Sequence, residues 1–146
     1  MSAALADIFD PSRRVVTDLV VLELPEPPSV NALFANVSVA RRERARRYGR
    51  SLPGRMKSQA YLTWINAAGW LIQAQRPGRI SGRYEITISA GPTRKDLANL
   101  EKALGDLMQT HGIIENDRLA DRVTIERDPD LKPRTVRVLI RPAEPA

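Results

Sequence analysis

Tyr84-Glu85-Ile86-Thr87-Ile88-Ser89 alternates apolar and polar side chains, which predicts a strand with one buried face. Gly91-Pro92 breaks that strand. Arg94-Lys95-Asp96-Leu97-Ala98-Asn99-Leu100-Glu101-Lys102 then opens a helix predicted over residues 95–110, with Leu97, Leu100, Leu104, Leu107 and Met108 as its apolar stripe. Gly112 stops the helix, and Gly112-Ile113-Ile114-Glu115-Asn116-Asp117 forms a turn into a further strand. Strand, helix and strand in succession point to an α/β arrangement.

Working outward, Val15 to Leu24 is rich in Val and Leu and predicts a buried strand ending at Pro25. Pro25-Glu26-Pro27-Pro28-Ser29-Val30-Asn31 cannot continue a sheet, because prolines lack amide donors. Residues 34–54 carry no clear period. Residues 55–75 predict a helix whose core face is Tyr61, Trp64, Ile65, Ala68, Leu71 and Ile72, closed by Pro77-Gly78. Residues 119–127 and 134–141 predict a final strand pair, with Val136, Val138 and Ile140 facing away from Arg137 and Arg141. The expected fold is a single α/β (α+β) domain over 15–146, with two main helices on a small mixed sheet. Its predicted order is strand, helix, strand, helix, strand, strand, after a flexible arm over 1–14.

A chain of 146 residues can bury a core without covalent staples. The absence of cysteine excludes disulfides, a thiol nucleophile and thiolate metal sites. The single His111 excludes two-histidine zinc motifs, and its place before Gly112 suggests a cation at a helix C-terminus. The first fifteen residues hold Asp7 and Asp10 without an apolar run, unlike a signal peptide. No stretch approaches the ~20 apolar residues of a membrane span, so a soluble, cytoplasmic protein with no membrane partner is expected. The net charge is +6, and 19 of the 23 basic residues are arginine, which grips phosphate with two prongs. Nucleic acid is therefore the expected partner.

Arg41, Arg42, Arg44, Arg46, Arg47 and Arg50 crowd residues 34–54, where Glu43 is the only acid. They predict a DNA-contacting loop, disordered without DNA because like charges repel. The alternative is a solvated charged turn. Asp96, Lys102 and the Glu115-Asn116-Asp117 turn suggest carboxylates gathered around a hard cation, suited to Mg²⁺ or Mn²⁺. Asp96 is also a favoured helix cap, and acids in a turn are often merely solvated. Along a straight helix Asp96 and the 115–117 turn would lie about 25 Å apart, so the chain must double back for both to reach one ion.

Together with Leu24-Pro25-Glu26-Pro27-Pro28-Ser29-Val30-Asn31, these runs resemble the RusA family of Holliday-junction resolvases, endodeoxyribonucleases that are often prophage-borne. The family pattern is Pro-x-Pro-Pro-Ser-x-Asn, then Asp-x-Asp-Asn-x-x-Lys, then Gly-apolar-apolar-x-Asp-Asp, and the likeness covers roughly residues 20–141. Asp96 matches the first motif acid, Asn99 and Lys102 the motif Asn and Lys, and Asp117 the later essential acid. Asn116 stands where the family often has an acid.

Ala98 takes the place of the second motif acid, and a methyl group cannot bind a cation. The resemblance implies Asp96 and Asp117 as metal ligands for Mg²⁺ or Mn²⁺, and Lys102 as a catalytic charge. Asn99, Glu115 and Asn116 support them, in a homodimer that cuts four-way junctions. Because of Ala98 it also implies an alternative: an inactive form, engineered or natural, that binds branched DNA without cutting. A neighbouring acid would otherwise have to substitute, Glu115 and Asp121 being the nearest in sequence.

Overall fold

The computed structural model describes residues 14–144. Its elements are β1 (Val20–Pro25), β2 (Phe34–Asn36), α1 (Val39–Arg47), β3 (Arg55–Lys57), α2 (Gln59–Gln75), β4 (Tyr84–Ala90), α3 (Glu101–Thr110), β5 (Ala120–Arg127) and β6 (Thr135–Pro142). Four strands form a mixed sheet in the order β1-β6-β4-β5, and β2 pairs with β3 in a separate two-stranded ribbon. β6 runs antiparallel to both β1 and β4, while β5 runs parallel to β4. A parallel pair needs a crossover connection, and α3 provides it. The arm expected over 1–14 lies, up to residue 13, outside the described residues.

α2 forms because Tyr61, Trp64, Ala68 and Ile72 recur on one face and are buried. Ser58 caps its start by accepting the Tyr61 N–H at 3.1 Å. Arg76, in the left-handed region at φ 50°, ends it before Pro77. The core faces of β1, β4 and β6 supply Leu22, Leu24, Ile86, Ile88, Val138 and Ile140, and α3 adds Leu104, Leu107 and Met108. Gln75 pairs with both backbone groups of Glu23, at 2.9 and 2.8 Å, and so satisfies the free edge of β1 at that residue. Charged pairs lie on the opposite face of the sheet: Arg137 with Glu23 at 2.8 Å and Arg141 with Glu85 at 3.5 Å. Among the described residues, no helix is long and apolar enough to cross a membrane.

Several local expectations change. Residues 55–57 are a strand rather than helix, because they pair with Phe34–Asn36 and the cap at Ser58 delays the helix. Leu71 is 41 % exposed, so the core face of α2 is narrower than its apolar content. β5 and β6 do not pair with each other, since β4 lies between them. The arginine-rich segment is a helix, α1, rather than a disordered loop. Ser38 caps it through the Arg41 N–H at 3.2 Å. None of its residues is buried as a whole, so solvent reaches Arg41, Arg44, Arg46 and Arg47 and screens their repulsion.

Candidate functional site

The proline segment and the start of the α3 region are tied together. Lys95 Nζ donates to Pro27 O at 2.8 Å and lies 2.9 Å from Glu26 Oε1, whose side chain is only 7 % exposed. The Lys95 N–H also donates to Thr93 Oγ1 at 3.1 Å. Held outward in this way, Lys95 cannot join a helix. The expected helix over 95–110 becomes a 3₁₀ turn at Leu97–Asn99, followed by α3 from Glu101. Asp96 occupies the cap position of that turn, but its carboxylate caps nothing and is exposed. The turn is closed by backbone, with the Asn99 N–H donating to Asp96 O at 3.1 Å.

A recess of about 280 Å³ lies between α3 and β5, lined by Tyr84, Ile86, Ala98, Glu101, Lys102, Gly105, Asp117, Ala120 and Val123. It exists because the helices do not fully cover the edge strand. Val123 is in register with the buried Ile86 yet remains 37 % exposed. The parallel pairing that sets Ala120 opposite Tyr84 returns the chain after α3 to the start of β4. This return brings Asp117 into the same recess as Ala98 and Lys102. Asp96, Asn99, Glu115 and Asn116 are not among its lining residues.

Asp117 is held by its backbone, which leaves its carboxylate exposed. Its N–H donates to Gln109 Oε1 at 3.0 Å, and its carbonyl accepts a long bond of 3.4 Å from the Tyr84 hydroxyl. Asn116 Oδ1 accepts the Arg118 N–H at 2.9 Å and fixes the turn. Burial first, then the charges of Asp117 and Glu101, push the Tyr84 hydroxyl up to about 12. Lys102 pairs with Asp106 one turn along at 3.3 Å, both side chains exposed. Glu115 accepts from Ser81 Oγ at 3.0 Å, and Asp121 pairs with Arg83.

Glu101 escaped the reading of the sequence. The signal was an acid three positions after Ala98, a spacing that places two side chains on one helical face. Two carboxylates, Glu101 and Asp117, thus share the recess. Among the described residues no three metal-ligating side chains cluster together. Two oxygen acids suit Mg²⁺, which keeps several waters and takes one or two carboxylates together with substrate phosphates. The donor set therefore fits such an ion.

The ribbon carrying α1 abuts α3. Phe34 and Lys57 line a second recess with Asp106 and Gln109, on the far side of the Lys102–Asp106 pair. Arg41, Arg44 and Arg50 border a shallow surface with Tyr48 and Leu52, while Arg42 Nε is buried without a hydrogen-bond partner among the described residues. A comparison with curated proteins found no match. The family model described as endodeoxyribonuclease RusA matches residues 36–141, a span that takes in α1, the Ala98 turn, Glu101, Lys102 and Asp117. The proline segment precedes the matched span. The match covers most of the chain, which belongs to the RusA family of endodeoxyribonucleases.

Proposed function

We propose that this chain is a cytoplasmic, divalent-metal-dependent endonuclease that nicks four-way DNA junctions as a homodimer, a step of recombination and repair. The observation that supports the reading is the recess that Asp117 and Lys102 both line, in a domain of this family. Asp96 and Asp117 are the proposed metal ligands, with Asn99, Glu115 and Asn116 shaping the turns that present them. Held by these residues, Mg²⁺ or Mn²⁺ would supply positive charge and Lewis acidity at the scissile phosphate.

The chain's own groups do the rest. The backbone bonds of Asp117 to Gln109 and Tyr84 fix where its carboxylate can act. Lys102 leaves Asp106 at small cost, since an exposed pair is worth about 0–1 kcal/mol. It then stands as a point charge beside a phosphate whose negative charge grows during cleavage. The arginines of α1 follow the DNA backbone, so affinity falls steeply with salt. Phosphate contacts carry no base sequence directly, and recognition rests on junction shape.

Ala98 favours a second reading, a junction-binding protein that does not cut, because its methyl lines the recess where the family motif has an acid. A nicking assay on a labelled four-way junction and a matched linear duplex separates the two. The nuclease reading expects junction-selective nicks with Mg²⁺, none with chelator, and a loss of ~10²–10³ in rate for Asp117→Asn. Binding without nicking supports the second reading, and equal action on linear duplex rejects the junction assignment.

A further inference from the structure

We propose that Glu101 supplies the recess with the carboxylate that position 98 lacks, so that Glu101 joins Asp117, and Asp96 from the preceding turn, in holding the divalent cation. The inference rests on the nuclease reading above and assigns the acid that makes it workable in this chain. The two acids nearest to Asp117 in sequence are engaged elsewhere: Glu115 with Ser81 and Asp121 with Arg83. Asp106 is paired with Lys102. None of the three lines the recess, whereas Glu101 does, together with Ala98 and Asp117.

Glutamate is one methylene longer than aspartate, which extends its reach from one turn further along the chain. Among the described residues, Lys102 is the only cationic side chain that lines the recess, although the protein as a whole carries +6. Two carboxylates facing one recess repel each other unless a cation joins them. Two carboxylates with a substrate phosphate make an ordinary set for Mg²⁺, and they need no third acid at position 98. Glu101 is exposed in the first turn of α3, so its loss removes a modest helix-end interaction and leaves the core alone.

The test uses the intact protein and measures Mn²⁺ binding by calorimetry without DNA, beside junction nicking and junction affinity in chelator. Glu101→Gln should weaken Mn²⁺ binding by more than about tenfold and slow nicking by ~10²–10³, with junction affinity unchanged. Adding Ala98→Asp to Glu101→Gln should restore both metal binding and nicking, because the two carboxylates serve the same ion. Ala98→Asp alone should change the nicking rate by less than about tenfold, well under the loss caused by Glu101→Gln. Wild-type Mn²⁺ affinity or wild-type nicking in Glu101→Gln overturns the proposal while leaving the nuclease reading intact. A wild-type chain that binds Mn²⁺ through Glu101 but never nicks sinks the nuclease reading and keeps the metal assignment. No Mn²⁺ binding by the wild-type chain sinks the assignment itself.

Discussion

His111 stands at the C-terminal end of α3, where unsatisfied carbonyls favour a positive charge. The sequence suggested that the histidine itself would be that charge. Instead Arg14 provides it, donating through Nε to His111 O at 2.8 Å and through Nη1 to Pro77 O at 3.2 Å. The imidazole is half-buried against Gly69, and burial first, then the charge of Arg14, hold its pKa below the ordinary value of about 6.5. As pH falls below about 6.5, the unfolded chain takes up a proton that the folded chain still refuses. The unfolded state then binds more protons, so stability drops with falling pH. Urea unfolding at pH 7.5 and 5.5 should show this loss, and His111→Gln should show a smaller one. An equal drop in both proteins would assign the pH dependence to other groups.

α1 is the element in which folding and binding separate most clearly. No residue of α1 is buried as a whole, so apart from the buried Nε of Arg42 its arginines contribute nothing to the core, and Arg41, Arg44, Arg46 and Arg47 are available to phosphate. Replacing Arg41, Arg46 and Arg47 by Ala, a strong helix former, should leave the thermal midpoint nearly unchanged. It should also weaken junction binding and reduce the slope of log affinity against log salt by about 0.9 per lost phosphate contact. An unchanged slope would remove α1 from the DNA surface.

The same absence of an apolar face hid α1 from the sequence: a helix that is polar all round has no period to detect. By contrast, α2 was legible from Tyr61, Trp64, Ala68 and Ile72, because a single buried stripe governs it. The start of α3 was obscured by a long-range tether, Lys95 to Glu26 and Pro27, that no local pattern reveals. Pairing among β4, β5 and β6 was hidden for the same reason, since register is set between strands distant in sequence. The motif positions gave Asp117, Lys102 and Ala98 their shared place. Glu101 had no such marker, and only the recess shows which way that end of α3 looks.

At the scale of the whole molecule, the described chain offers one such recess, whereas resolving a junction requires two cuts. A four-way junction is two-fold symmetric, and a two-fold homodimer would set one recess against each of two like strands. A dimer carrying one wild-type and one Asp117→Asn protomer should therefore cut only one strand at a time. On a supercoiled plasmid that extrudes a cruciform, the wild-type homodimer should yield linear DNA by paired nicks within one binding event. The mixed dimer, isolated through two different tags, should yield nicked circles instead, with junction affinity unchanged because phosphate contacts made by both protomers remain. The double Asp117→Asn dimer should bind and leave the plasmid supercoiled. Linear product from the mixed dimer at the wild-type rate would show that one recess performs both cuts, and the two-site arrangement would then be wrong.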